Sequence, residues 1–132
     1  MSGAEERERL LRTPTILLVD DSSLIRFLAE RILIKEGWRV LQAGDGLEGY
    51  EIARKEQPDL IIMDLEMPKW GGIRAAVNLK RTPITRHIPI MFVTANQEAR
   101  WREAMKGVGA AAILYKPFKG HDLLATAYRL LR

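Results

Sequence analysis

The chain of 132 residues contains no cysteine and only two histidines, His87 and His121. The lack of cysteine excludes disulfide bonds, thiol catalysis and cysteine-ligated zinc or iron–sulfur sites. Two histidines are too few for a histidine metal cage. No apolar run approaches the roughly 20 residues that a membrane-spanning helix needs, and residues 1–12 lack the apolar core of a signal peptide. We therefore expect a cytoplasmic protein that does not insert into a membrane.

The overall composition and length fit one globular domain. The chain is 47% hydrophobic and 29% charged, and its length allows a single core. A net charge of +4 is compatible with nucleic acid as a partner. However, the densest basic cluster, Lys80-Arg81 with Arg86-His87, has no helix-turn-helix or zinc-finger spacing around it. We interpret it as a solvated loop and expect no direct binding to nucleic acid.

Five short apolar runs alternate with helical patterns. The runs occupy residues 16–19, 40–43, 60–63, 90–93 and 112–115. The helical patterns occupy residues 22–36, 46–56, 72–80, 98–108 and 121–131. This alternation predicts a doubly wound α/β fold, with a parallel sheet covered by helices on both faces. Continuous apolar runs are typical of strands that are buried on both sides.

Two of the helical patterns contain informative details. Leu24, Leu28 and Ile32 recur at a four-residue spacing, which predicts an apolar face on the first helix. Gly49 stands inside the second helix, where glycine costs about 1 kcal/mol relative to alanine. Close packing against another element is one explanation for this glycine.

Polar side chains follow four of the apolar runs directly. Asp20 and Asp21 come after the first run, and Asp64 comes after the third. Thr94 and Lys116 follow the fourth and fifth. Right-handed crossovers bring the carboxyl ends of parallel strands to one edge of the sheet, where ligands bind. Three carboxylates in one place need a cation at neutral pH, and oxygen-only ligands select Mg²⁺, Mn²⁺ or Ca²⁺. A lysine and a hydroxyl beside them would bind phosphoryl oxygens, and a carboxylate can itself form an aspartyl phosphate.

Four motifs carry a resemblance to a known family. They are Leu17-Leu18-Val19-Asp20-Asp21-Ser22, Asp64-Leu65-Glu66-Met67-Pro68 with Gly72, Val93-Thr94-Ala95, and Lys116-Pro117-Phe118. In this order, each at a strand end, they resemble the receiver domain of response regulators in two-component signalling, of the chemotaxis-regulator type. The resemblance implies a flavodoxin-like (βα)5 fold with strand order 2-1-3-4-5. It places a receiver domain at residues 14–132, standing alone or cut from a longer chain, after a flexible N-terminal extension at residues 1–13.

The resemblance also implies a magnesium site, with Mn²⁺ as an alternative cation. Asp64 corresponds to the phosphoacceptor, which would take a phosphoryl group from a histidine kinase or phosphotransfer domain, and it also belongs to the metal site. Asp21 corresponds to the direct metal ligand and Asp20 to the acid that holds the metal through water, while the backbone carbonyl of Glu66 would add a ligand. The side chains of Glu66 and Asn96 would flank the path of the hydrolytic water. Such a protein is an enzyme only in catalysing its own phosphorylation and dephosphorylation.

We expect phosphorylation to be signalled through residues of the fourth and fifth strands. Thr94 and Lys116 correspond to the residues that contact the phosphoryl group, and the Lys116-Pro117 bond is expected to be cis. A downstream protein target would bind the surface of the fourth and fifth helices and the fifth strand, with the protein as a monomer or a phosphorylation-dependent dimer. Ile113 departs from the family, which usually has an aromatic residue there, and Tyr115 is out of register for that role.

Two other function classes share parts of this pattern. A receiver fold used as a phosphorylation-independent scaffold would tolerate Ile113, but it would not need an intact set of site residues. A phosphatase of the haloacid dehalogenase type also uses a strand-end aspartate with Mg²⁺. It needs a second acid two residues after the nucleophile, which Asp20-Asp21-Ser22 lacks and Glu66 supplies imperfectly. Trp70, in the loop after Asp64, either covers the site or binds a partner, and the sequence leaves both options open.

Overall fold

A five-stranded parallel sheet organises the protein, in a computed structural model that describes residues 2–5, 7 and 12–132. The strand order is β2-β1-β3-β4-β5, which confirms the expected doubly wound fold. The strands are β1 (Thr15–Val19), β2 (Arg39–Ala43), β3 (Leu60–Met63), β4 (Ile90–Thr94) and β5 (Ala112–Tyr115). The helices are α1 (Ser23–Ile34), α2 (Gly46–Glu56), α3 (Gly72–Arg81), α4 (Ala99–Gly107) and α5 (Gly120–Leu130).

The N-terminal segment is only partly covered by this description. Residues 3–5 and 7 are helical, while most of residues 6–11 lie outside the described residues. The expectation of a flexible extension over residues 1–13 therefore stays a prediction. Within residues 2–5, 7 and 12–132, no helix combines the length and the apolar character needed to cross a membrane.

Both faces of the sheet are buried, as the continuous apolar runs predict. Side chains on one face pack under α2, α3 and α4, and they include Leu17, Val19, Ile61, Met63 and Phe92. Side chains on the other face pack under α1 and α5, and they include Ile16, Leu18, Leu60, Ile62 and Met91. In the parallel register Val19 pairs with Met63. The C-terminal ends of β1 and β3 are therefore level, and the residues that follow them start side by side.

The buried face of α1 matches the predicted four-residue spacing only in part. Leu24 is 63% exposed and Leu28 is 46% exposed, whereas Ala29 and Leu33 are buried. Ile32, the third residue of the predicted spacing, packs partly against the same core. Apolar residues surround more of this helix than one sheet can cover, so a helix packed through Ala29 and Leu33 leaves Leu24 and Leu28 outside. Phe27, which is 54% exposed, extends this apolar surface.

Close packing accounts for Gly49 in α2. A Cβ atom at this position would lie 2.8 Å from Cγ1 of Val19, so only glycine lets α2 approach β1 this closely. The start of α2 is fixed by the Asp45 side chain, which accepts the N–H of Glu48 at 2.9 Å. The N–H of Gly46 donates to the carbonyl of Trp70 at 3.0 Å, so the loop after β2 meets the loop after β3.

Candidate functional site

Three carboxylates meet at the C-terminal edge of the sheet. Asp20 and Asp21 follow β1 and Asp64 follows β3, and one carboxylate oxygen of each lies within 4.8 Å of the others. The N–H of Asp64 donates to the carbonyl of Val19 at 2.8 Å, which links the two strand ends. Asp20 is buried and Asp21 is exposed, while the side chain of Asp64 is 12% exposed. The expectation that these acids share one edge is confirmed.

Lys116, after β5, closes the acidic cluster. Its Nζ donates to Oδ2 of Asp20 at 2.9 Å and lies 3.5 Å from Oδ2 of Asp64. The Lys116-Pro117 peptide bond is cis, as expected. Burial lowers the pKa of Lys116, but the hydrogen bond to Asp20 and the charges of both aspartates outweigh burial and raise the pKa above its ordinary value. The lysine is therefore charged at neutral pH.

The environment of Asp64 disfavours its negative charge. Burial, together with repulsion from Asp20, raises the pKa of Asp64 above its ordinary value. Lys116 opposes this shift, as does the N–H of Leu65, which donates to Oδ1 of Asp64 at 2.8 Å. One lysine thus does not balance the carboxylates of the cluster, and a cation would stabilise them.

The donor atoms of the cluster fit Mg²⁺. They are carboxylate oxygens without nitrogen or sulfur donors, the ligand type that hard divalent cations prefer. The carboxylate of Asp21 forms no hydrogen bond or ion pair with any described residue, so its oxygens are available. The backbone carbonyl of Glu66 likewise accepts no hydrogen bond from the described part of the chain. These two residues are those for which the resemblance implies direct coordination.

Thr94 and Lys116 are neighbours at this edge. The N–H of Lys116 donates to the carbonyl of Thr94 at 2.9 Å. Thr94 is 2% exposed, and its Oγ1 accepts the N–H of Asn96 at 3.1 Å. The side chain of Asn96 donates to Oε1 of Glu66 at 2.7 Å. A direct hydrogen bond therefore joins the two side chains that the resemblance places beside the path of water.

On β5, Ile113 occupies the position where the family usually has an aromatic residue, and Tyr115 follows two residues later. Ile113 packs against the core under α2, α3 and α4 and has no polar group. Tyr115 pairs with Thr94 in the β4–β5 register. Its hydroxyl is the one buried side-chain polar atom, among the described residues, that has no hydrogen-bond partner. The departure at Ile113 is thus accompanied by an unsatisfied phenol two residues further along the same strand.

Trp70 lies against α2 and α3. The ring centroids of Trp70 and Tyr50 are 5.4 Å apart. The guanidinium carbon of Arg74 lies 4.7 Å from the centroid of the Trp70 ring. The carbonyl of Trp70 accepts the N–H of Gly46 at 3.0 Å. These contacts attach the loop after β3 to the start of α2. They leave the choice between a covering role and a partner-binding role open.

A family model provides the deciding comparison. The model of the response regulator receiver domain matches residues 16–128. The chain belongs to this family. The receiver domain is 38% identical over 110 residues to the transcriptional regulatory protein PdtaR of Mycobacterium tuberculosis, covering 83% of this chain and 52% of that protein. It thus spans about half the length of this curated relative.

Solved structures of similar proteins support the same assignment. The chemotaxis protein CheY4 of Vibrio cholerae is 32% identical, with a TM-score of 0.86 over 91% of this chain and 100% of that one. The receiver domain of the sensor histidine kinase PA1611 of Pseudomonas aeruginosa is 30% identical, with a TM-score of 0.85 over 91% of this chain and 98% of that one. That structure has a magnesium ion coordinated in its active-site cleft. Receiver domains bind Mg²⁺ at an acidic pocket, and this chain contains such a pocket.

The raised pKa of Asp64 predicts a pH-dependent effect of neutralising it. Without divalent cations, Asp64→Asn should raise the free energy of unfolding at pH 7 by about 1 kcal/mol. Between the unfolded and the folded pKa of Asp64, the folded protein binds more protons, so wild-type stability falls as the pH rises through this window. Asparagine does not titrate and avoids this loss. Urea unfolding in a chelator, from acidic to neutral pH, measures the difference.

Magnesium provides the control for this prediction. Saturating Mg²⁺ should stabilise the wild type more than the variant, because binding to the folded state adds stability by mass action. Parallel stability profiles of the two proteins over the whole pH range would contradict the raised pKa.

Proposed function

We propose that this receiver domain accepts a phosphoryl group on Asp64 from a phosphohistidine of a histidine kinase or phosphotransfer domain. The observation that carries the proposal is the meeting of three carboxylates and one lysine at a single edge of the sheet. Asp20, Asp21, Asp64 and the carbonyl of Glu66 would hold Mg²⁺, with Mn²⁺ as an alternative. A bound Mg²⁺ supplies charge neutralisation for a phosphoryl group and its transition state.

The protein groups account for the remaining steps. A carboxylate oxygen of Asp64 attacks phosphorus, a P–O bond forms, and the P–N bond breaks with its electron pair leaving on the imidazole. The hydrogen bond from Leu65 fixes the plane of the attacking carboxylate. Lys116 compensates charge that develops on the phosphoryl oxygens, and Thr94 provides a hydroxyl donor. In hydrolysis, a water oxygen attacks phosphorus and the bond to Asp64 breaks with its electron pair returning to the carboxylate. Both protons of the water leave with the inorganic phosphate that is released.

The exposed face of α1 is the proposed docking surface for the phosphodonor. Leu24, Phe27 and Leu28 present apolar surface to solvent, and such patches mark interaction sites. A cavity of about 410 Å³ adjoins this face, lined by Ile25, Leu28, Arg31, Ile32, Lys35, Lys116, Pro117 and Phe118. Because Lys116 belongs to both this cavity and the acidic cluster, a domain bound here would be next to Asp64.

The readout to a downstream protein is proposed on the surface formed by α4, β5 and α5. Thr94 is buried next to β5, and the unsatisfied hydroxyl of Tyr115 lies on the same strand. Movement of Thr94 toward a phosphoryl group would change the surroundings of this strand. The oligomeric state in this proposal is a monomer or a dimer formed on phosphorylation.

Intact-mass spectrometry with a small phosphodonor tests the proposal. Acetyl phosphate with Mg²⁺ should add about 80 Da to the wild type, the mass of one phosphoryl group. The adduct should be absent from Asp64→Asn and from wild type in a chelator. Asp122→Asn, which removes an exposed aspartate of α5, is the matched control and should be modified like wild type.

Each other outcome points to a different function. An adduct that persists in Asp64→Asn would place the acceptor elsewhere. A wild type that is never modified, and that beryllofluoride does not perturb in NMR spectra, would favour the scaffold. Turnover of a free phosphomonoester would favour the phosphatase.

A further inference from the structure

We infer that Arg26 is a positioning residue for the metal site, because it holds the main-chain turn that presents the Asp21 carboxylate. The inference rests on the proposed function of the acidic cluster. Arg26 lies on α1, outside the motifs that resemble the family. Nothing in the sequence pattern distinguishes it from a solvated arginine.

The guanidinium of Arg26 bridges three segments of the chain. Its Nη1 donates to the backbone carbonyl of Asp20. Its Nε donates to Oε1 of Gln42, on β2, at 3.0 Å. The same Nη1 lies 3.7 Å from the position that a Cβ on Gly44 would occupy, so the guanidinium rests over the loop after β2. Gln42 in turn donates to the carboxylate of Glu30, which orients the amide that receives Arg26.

The carbonyl of Asp20 that Arg26 binds determines the backbone position of Asp21. The carbonyl of Asp20 and the amide of Asp21 belong to one planar peptide group, so fixing the former fixes the latter. The carboxylate of Asp20 is already held by the N–H of Ser22 at 2.9 Å and by Lys116 at 2.9 Å. The carboxylate of Asp21 has no partner among the described residues, so the backbone is the part of Asp21 through which other residues can position it.

The positive charge of Arg26 and its positioning contact should have different effects on Mg²⁺ binding. Arg26 lines a small cavity together with Asp20 and Asp64, yet no carboxylate of the described chain lies within ion-pair distance of it. A fixed positive charge beside a cation site repels the cation. Loss of the charge alone would therefore strengthen Mg²⁺ binding, whereas loss of the positioning contact would weaken it. The two effects have opposite signs.

Mg²⁺ titration of four proteins tests the inference, followed by the NMR shift of the Asp21 amide. Arg26→Gln should raise the Kd for Mg²⁺ about tenfold, a typical loss when an outer partner of a metal ligand is removed. Arg26→Lys should also raise it, because one ammonium keeps the charge but cannot reach both oxygens in the fork geometry of a guanidinium. Arg81→Gln removes the same charge from an exposed position at the end of α3 and should leave the Kd within about twofold, because an exposed charge is largely screened.

Thermal unfolding in a chelator separates positioning from folding. Should Arg26→Gln fail to fold, Gln42→Ala removes the support of the guanidinium and should weaken Mg²⁺ binding in the same direction. Unchanged or tighter binding by Arg26→Gln, or wild-type binding by Arg26→Lys, would overturn the positioning role. Absence of Mg²⁺ binding by the wild type would instead overturn the proposed function, and the inference with it.

Discussion

Gly72→Ala is expected to lower the free energy of unfolding by about 3 kcal/mol. Gly72 is the first residue of α3, and a Cβ on it would lie 2.3 Å from the carbonyl oxygen of Asp64 and 2.9 Å from Cε1 of Phe92. Its N–H also donates to the carbonyl of Leu65 at 2.7 Å. The nearest obstacle is main chain, which cannot rotate away, so relief requires that the backbone of Asp64 and the start of α3 move apart. Phosphorylation by acetyl phosphate should therefore slow as stability falls.

Gly107→Ala provides the matched control for this substitution. Gly107 is the last residue of α4, and a Cβ there would have no atom within 4 Å. The same change should therefore stabilise the protein, by up to about 1 kcal/mol, because alanine is the better helix former. Urea denaturation of both variants measures the contrast. Equal changes in the free energy of unfolding at the two positions would mean that the close approach of Gly72 to Asp64 does not determine the cost of the substitution.

Lys116→Met is expected to lower the free energy of unfolding by about 2 kcal/mol at pH 7 without divalent cations. Lys116 is 17% exposed and contacts two carboxylates, so its loss leaves Asp20 and Asp64 unbalanced in a poorly solvated place. Because the pKa of Lys116 is raised in the folded state, its contribution is complete below the ordinary lysine pKa. It is lost only as the pH rises through the folded value, so the full effect is present at neutral pH.

Acid and magnesium should each reverse this defect. At acidic pH Asp64, whose pKa is raised in the folded protein, becomes neutral, and the lysine has less negative charge to balance. Mg²⁺ replaces the missing positive charge, so the variant should bind it more tightly than wild type and gain more stability from it. Lys119→Met, at the exposed N-cap of α5, is the control and should change little. A Lys116→Met defect that neither acid nor Mg²⁺ reduces would show that the lysine acts through packing.

The strands and the shared edge were predictable because they depend on local patterns. Apolar runs of four or five residues can bury only as strands between two helix layers, and right-handed crossovers then fix the edge where Asp20, Asp64 and Lys116 meet. The polar residues that follow these runs were therefore enough to locate the cluster. The strand order required the family resemblance as well, since alternation alone does not determine it.

The remaining features depend on contacts between distant segments, which a single sequence does not encode. Leu24 and Leu28 were wrongly expected to be buried, because they match the helical period as well as the buried Ala29 and Leu33 do. Arg26 carried no signal, because its role depends on a carbonyl oxygen rather than on a neighbouring side chain.

Because Val19 and Gly49 are in contact, substitutions at these two positions should be coupled. Val19 touches the place where a side chain at position 49 would begin, and its carbonyl receives the N–H of Asp64. A larger residue at position 49 would therefore have to be accompanied by a smaller one at position 19. In an alignment of close relatives the two columns should vary together, and an engineer who redesigns α2 is also adjusting where the acidic cluster lies.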